Sequence, residues 1–179
     1  MDYSFIIRRA NESDTENIKK ILNEAFQNYK DAIKQVSAPF GDETIQQCPG
    51  SDMDIPLEAL SESIEDIKAA INAHNIYTYI AVVDNLPVGT VRITINNDGT
   101  AYLSRFGVVA SSRSIGIGKA LMNVVDKLMK EKSVQRLMLH TASKHSDLVR
   151  FYYGRGFYVE SASSDRGYIR VMLVKDYNC

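Results

Sequence analysis

Arg113-Ser114-Ile115-Gly116-Ile117-Gly118 decides how this chain is read, because an R-x-x-G-x-G turn follows an apolar run, 106–109, and precedes a strongly amphipathic helix. The first N–H groups of a helix have no intrahelical acceptor and sit at the positive end of its dipole. Glycines that let a ligand approach those amides create an anion site, a cradle for phosphate. Alone the turn is a weak signal, and its flanks supply the meaning.

Downstream, Ile117, Ala120, Leu121, Val124, Val125 and Leu128 form one helical stripe. Upstream, three strand candidates, 77–84, 88–95 and 100–109, are separated by Asn85-Leu86-Pro87 and Asn96-Asn97-Asp98-Gly99, which is turn chemistry between β-rich runs. A three-strand antiparallel meander is the natural reading. Before it, residues 5–8 read as a strand, and Ser13-x-x-Glu16 reads as a capping box opening a helix with Ile18, Ile21, Leu22 and Ala25 on one face. The stretch 27–56 contains Pro39, Gly41, Pro49, Gly50 and Pro56 and reads as a long irregular connection with a short helix at 30–36. Helix resumes over 61–73. After the cradle helix come a strand at 137–141, a short helix at 146–153 bounded by Gly154 and Gly156, and two closing strands, 157–162 and 168–174.

The 179 residues, 45% hydrophobic and 24% charged, suit one domain spanning 1–179. No apolar run approaches the roughly 20 residues needed to span a bilayer, and the first residues lack the apolar stretch of a secretion signal. Cys48 and Cys179 show neither metal spacing nor a disulfide framework, so a cytoplasmic protein without a metal site is expected. The net charge of −1 hides an asymmetry. Residues 31–66 hold nine acids against one base, while residues 100–179 hold thirteen Lys and Arg against six acids.

A dinucleotide-binding fold is the first competitor for the glycine turn. Leu121 stands where its third glycine belongs, the preceding strands are meander-like, and no acid ends a following strand for a ribose. The Walker pattern is also absent, since Gly118-Lys119-Ala120 has no Ser or Thr. Nucleic-acid binding has no motif, and the pI is about 6.3.

The second landmark is Phe151-Tyr152-Tyr153-Gly154-Arg155-Gly156-Phe157, with Tyr152 standing 39 residues beyond Arg113. Together the two landmarks resemble the GNAT (general control-related) N-acetyltransferase family. The resemblance covers nearly the whole chain, including Leu86-Pro87-Val88-Gly89, Phe106-Gly107-Val108 and the closing Met172-Leu173-Val174-Lys175. It implies an α+β domain: a strongly twisted mixed sheet of six or seven strands, about four helices, and central strands splayed by a bulge. It implies that acetyl-CoA lies in the wedge, with Phe106, Gly107 and Val108 along the pantetheine arm. Ser114, Ile115, Gly116, Ile117, Gly118 and Lys119 would hold the pyrophosphate, with Arg113 and Lys119 adding charge. His145 stands where many relatives have an asparagine that contacts the cofactor.

The same resemblance implies acetyl transfer to a primary amine of a small molecule or protein, without nucleic acid or membrane as partner, in a family whose members often form homodimers. Such a reaction needs a base for the ammonium, donors for an oxyanion and a proton for the departing thiolate. Tyr152, with an ordinary phenol pKa near 10, is the expected general acid. Residues 102–105 lack the carboxylate that some relatives use as base, and His140 replaces the acid that others carry on the next strand; an imidazole is competent there. The acid-rich first connection suggests a cationic acceptor. Two features depart from the family pattern: Ser114 where glycine is usual, and Ala110 for a common proline. A demand for positive φ at Ser114 would cost about 1 kcal/mol or more. These departures, with the missing carboxylate, keep open a non-catalytic acyl-CoA-binding module.

Overall fold

Alternating apolar patterns become strands and 3.6-residue patterns become helices throughout the residues described by the computed structural model, 4–35 and 57–177. In chain order they form β1 (Phe5–Arg9), α1 (Thr15–Gln35), α2 (Glu58–Ser61), α3 (Ile64–Asn72), β2 (Ile76–Val83), β3 (Leu86–Ile95) and β4 (Thr100–Val108). There follow α4 (Ile117–Glu131), β5 (Arg136–Ala142), α5 (Ser146–Tyr153), β6 (Tyr158–Ser163) and β7 (Arg170–Asp176). The strands make one sheet in the order β1-β2-β3-β4-β5-β7-β6. Every pairing is antiparallel except β4 with β5.

Two cores hold the helices to the sheet. On one face α4 buries Ile117, Leu121, Met122, Val125 and Met129 against Ala81, Val91, Ile93, Leu103 and Leu139. On the other, Ile18, Ile21 and Leu22 of α1 pack with Ile67 of α3 and Ile80 of β2. Fully burying each such side chain contributes about 1.5–3 kcal/mol.

Several boundaries differ from the sequence expectation for physical reasons. The first capping box is Asn11 with Asp14 rather than Ser13 with Glu16, and it opens a 3-10 turn, Glu12–Asp14, before α1. Asp14 wins because its carboxylate also accepts two hydrogen bonds from Arg8 of β1, at 2.7 and 2.8 Å, which joins strand to helix. The Arg8 guanidinium holds the Asp14 carboxyl below its ordinary range. No glycine or proline interrupts residues 15–35, so α1 absorbs the short helix expected at 30–36 up to Gln35; Val36 and the remainder of the connection, Cys48 included, lie outside the described residues, as does Cys179. The helix expected over 61–73 starts at Ile64 with a Ser63–Asp66 capping box, after a separate turn of helix, α2. The β2–β3 turn is only Asp84-Asn85, both at positive φ (48° and 66°), so Leu86 and Pro87 belong to β3. That is the geometry of a two-residue hairpin turn.

Gly107 of β4 sits where α1 crosses the sheet, and a Cβ placed there would lie 2.8 Å from Ala25 Cβ. Gly107→Ala is therefore expected to push α1 away at a cost of about 1–3 kcal/mol, read as a lower midpoint in urea unfolding; an unchanged midpoint would show that α1 is not held at this distance.

Candidate active site

The site begins where β4 and β5 part. They pair only through Thr100–Arg136, Ala101–Leu137 and Tyr102–Met138. Beyond Tyr102 the β3–β4 register shifts: Arg92 faces Ser104, but Thr90 faces Gly107. Two residues, Arg105 and Phe106, therefore oppose Val91, and Arg105 takes φ +52°. A bulge of this kind bends its strand away from its neighbour. The wedge expected from the family resemblance is thus present, and it opens through the sheet.

One consequence concerns Val108. Val109 N–H donates to Val88 C=O at 2.9 Å. By the alternation of an antiparallel ladder, the adjacent Gly89–Val108 pair is of the non-hydrogen-bonded kind, so Val108 N–H points away from β3 into the wedge. Val108 C=O accepts a bond from Arg113 Nε at 3.2 Å, which pins the arginine across the strand end.

Two cavities meet at the wedge. The first is a groove lined by Phe106, Gly107, Val108, Arg113, Gly118 and His145, six of the residues expected to hold a cofactor, together with Ala25, Leu148 and Phe151. At its end a 3-10 turn, Ala110–Ile115, runs into α4 through Gly116, whose φ is +86°. Only glycine adopts that angle freely. A Cβ at Gly116 would meet nothing within 4 Å, so the space beside this turn is open. The first helical bond is Ala120 N–H to Gly116 C=O, which leaves the amides of Ile117, Gly118 and Lys119 directed out of the helix start. Ser114 is exposed within the 3-10 turn and is not at positive φ, so the backbone demand expected there falls on Gly116 instead. Ile115 is partly buried against the core, and Ile117 is buried and offers the groove only its backbone. Lys119 is exposed. His145 caps α5, its Nδ1 accepting Leu148 N–H at 3.3 Å, and its ring stacks on Tyr29 at 5.1 Å. Burial lowers its pKa.

The second cavity lies on the α1 side of the sheet and includes Tyr102, Arg105, His140, Tyr152, Arg166 and Arg170 in its wall. It shares Phe26, Tyr29, Phe106 and Leu148 with the groove. Tyr152 is 3% exposed, packed among Phe106, Phe151 and Phe157. Burial pushes its phenol far above the ordinary range, so the hydroxyl keeps its proton. His140 is exposed toward the cavity, and its Nδ1 lies 2.8 Å from Tyr102 Oη. Burial, then the charges of Arg170 and Arg166, lower the imidazole pKa from its ordinary 6.5. With Tyr102 donating to Nδ1, the tautomer carrying its proton on Nε2 results; with Tyr102 accepting, Nε2 is the free base.

Sequence reading missed three parts of this wall and one support behind it, Glu62. Tyr102 is 38 residues from His140, and no local spacing joins them. Tyr29 accepts Ala142 N–H at 2.6 Å and lies 3.2 Å from Thr141 Oγ1; continuing the α1 stripe past Ala25 to Tyr29 and Ile33 would have found it. Glu62 joins Arg92 (2.5 Å) and Arg105 (3.0 Å), with the Glu62 side chain 7% exposed, and so anchors the bulge residue to the α2–α3 link. Glu58 and Arg166 form an ion pair at the cavity wall. Among the described residues, no three His, Cys, Asp or Glu gather as a metal site and no helix is long and apolar enough to cross a membrane.

A splayed seven-strand sheet with a glycine cradle at the mouth of the wedge is the architecture of the GNAT acetyltransferases. The family model described as Acetyltransferase (GNAT) family matches residues 42–157, and the chain belongs to that family. It is 30% identical over 124 residues to a Bacillus subtilis (strain 168) protein named "Putative acetyltransferase", covering 69% of this chain and 73% of that one. In fold it is similar to the PaiA N-acetyltransferase of Thermoplasma acidophilum solved with coenzyme A, with TM-score 0.75, 21% identity, and 97% and 99% of the two chains covered. It is similar also to the ribosomal-protein-S18-alanine N-acetyltransferase of Escherichia coli, with TM-score 0.71, 10% identity, and 98% and 96% covered.

Proposed function

We propose that the chain is an acetyl-CoA-dependent N-acetyltransferase acting on a primary amine of a small molecule or protein. The observation that carries this reading is the meeting, at one wedge, of a groove that ends at the glycine turn and a second cavity with Tyr152 and His140 both in its wall. The groove fits coenzyme A. Open space beside Gly116, the amides of Ile117 to Lys119 and the guanidinium of Arg113 suit a pyrophosphate. Val108 N–H suits the pantetheine arm or the carbonyl it carries. Acetyl-CoA would supply the acetyl group as a thioester.

The residues divide the proton chemistry. His140 takes the proton of the acceptor ammonium, since its lowered pKa keeps the imidazole neutral at pH 7. Val108 N–H is a preorganised dipole for an oxygen that gains negative charge. Tyr152 donates toward the departing sulfur. Because burial also disfavours a standing phenolate, the donation is a shared hydrogen bond rather than a lasting transfer.

The base assignment predicts a pH profile. The acidic limb of kcat/KM is expected to lie below pH 6.5, because a lowered histidine pKa keeps the base available to lower pH. His140→Gln is expected to remove that limb and reduce kcat/KM about a hundredfold. A limb that persists unchanged in the variant would assign the base elsewhere. The whole reading is tested by thiol release from acetyl-CoA across a panel of primary amines at pH 6 to 9. Binding of acetyl-CoA with no turnover of any amine would establish the binding-module alternative.

A further inference from the structure

The acid-rich connection suggests a cationic acceptor, but the described wall of the amine cavity has the opposite sign. Its cations are Arg105, Arg166 and Arg170, and its acid is Glu58. Arg105 shares the Glu62 carboxylate with Arg92, and Arg166 is paired with Glu58. The Arg170 side chain has no ion pair or hydrogen bond to any described residue, and its Nε is buried without a partner. Arg92 and Arg155 also have a buried, unbonded Nε, yet each is ion-paired through its terminal nitrogens, to Glu62 and Asp126. Arg170 alone among these three lacks an ion pair within the described residues; the carboxylates that feel its charge there, Glu58 and Asp165, make no salt bridge with it.

Its position is as specific as its charge. Arg170 of β7 stands opposite Ala142 of β5, and His140 stands opposite Met172, so Arg170 and His140 lie diagonally on one face of the sheet. In such a ladder diagonal neighbours are roughly 7–8 Å apart. The guanidinium is felt all around the cavity: it lowers the pKa of His140 and acts in the same direction on Tyr29, Tyr102 and Tyr168. A part-buried cation without a partner is costly, and a polycation entering this cavity would add repulsion. A planar guanidinium matches a carboxylate through two parallel N–H···O bonds.

We infer that the acceptor carries an anionic group, a carboxylate in the first instance, a few ångströms from its amine, and that Arg170 binds this group while His140 receives the amine. The acceptor is then an amino acid or a similar small amino acid-like molecule rather than a polyamine. This rests on the acetyltransferase reading of the same site, and its test separates the two.

Two measurements are made on the full chain. In the first, calorimetry of the coenzyme A complex compares a set of N-acetyl amino acids with the corresponding N-acetyl amino amides, as analogues of product. At least one acid is expected to bind ten times or more as tightly as its amide, and Arg170→Gln is expected to bring that ratio near one. Arg170→Lys, which keeps the charge without the planar fork, is expected to retain part of the preference. Coenzyme A affinity monitors the folding of both variants. In the second, acetylation rates are compared for amino acids, amino amides, aminoalkyl phosphonates and polyamines. A higher rate for phosphonates than for carboxylates would identify the anion as a phosphate rather than a carboxylate, with Arg170 still its partner. Equal binding of acids and amides, binding of neither, a preference that survives Arg170→Gln, or faster acetylation of polyamines overturns the inference. Selective binding of acids with no acetylation of any amine leaves the anion site standing and overturns the enzyme reading instead.

Discussion

Replacement of Tyr152 by Phe is expected to lower kcat by about a hundredfold to a thousandfold, with little change in coenzyme A affinity or in the unfolding midpoint. The magnitude is that of a positioned proton donor. The specificity comes from the packing. The ring of Tyr152 is held by Phe106, Phe151 and Phe157, and phenylalanine preserves all three contacts. The hydroxyl makes no hydrogen bond to a described residue, so its removal orphans no protein partner. Steady-state thiol release, with calorimetry for coenzyme A and a thermal melt beside it, separates the outcomes. Near wild-type turnover would leave Tyr152 as a packing residue and move the proton donor to solvent; lost turnover together with lost affinity would make it part of the binding surface.

The largest effect on binding is expected at Gly116. Gly116→Asp places a carboxylate facing phosphate at a helix start, where the amides favour the anion of the ligand, and this repulsion is what weakens binding; the side chain at φ +86° separately costs about 1–2 kcal/mol of stability. A rise in the dissociation constant of coenzyme A of about a hundredfold should follow, since each 1.4 kcal/mol is about a factor of ten. Gly116→Ala separates the contributions. A Cβ there meets nothing within 4 Å, so the alanine variant bears the backbone cost in stability while leaving the space for a ligand. If the aspartate variant bound coenzyme A as the parent does, the pyrophosphate would not lie at this turn.

Ser114 shows how a local departure from a motif can mislead. Read in line, a serine where relatives have glycine looks like a weakened cradle. In the fold the turn concentrates its left-handed residue at Gly116, and Ser114 occupies an ordinary 3-10 position. The same redistribution appears at the first helix, where Asn11 and Asp14 take the capping role because Asp14 alone can also reach Arg8 of the neighbouring strand. Each local pattern had a plausible reading, and a contact from another element chose between them.

The fold relatives carry different names on one architecture, from PaiA to a ribosomal-protein alanine acetyltransferase. Fold likeness therefore says little about the acceptor, and the decision passes to the side chains of the cavity wall. In this chain that wall includes Tyr102, His140 and Arg170, the residues on which the proposed acceptor rests.

The order of the strands and main helices, the glycine turn and the tyrosine after it were legible in the sequence alone. They rest on periodic burial, turn residues and short-range spacing, all of which are properties of contiguous segments. Only the tertiary structure decided that β4 bulges at Arg105, that Tyr102 meets His140, and that Arg170 stands on the same face as His140 without an ion pair among the described residues. These are matters of register between strands distant in the chain. A slip of one residue would turn His140 or Arg170 to the opposite face, and no local pattern records which register the packed helices select.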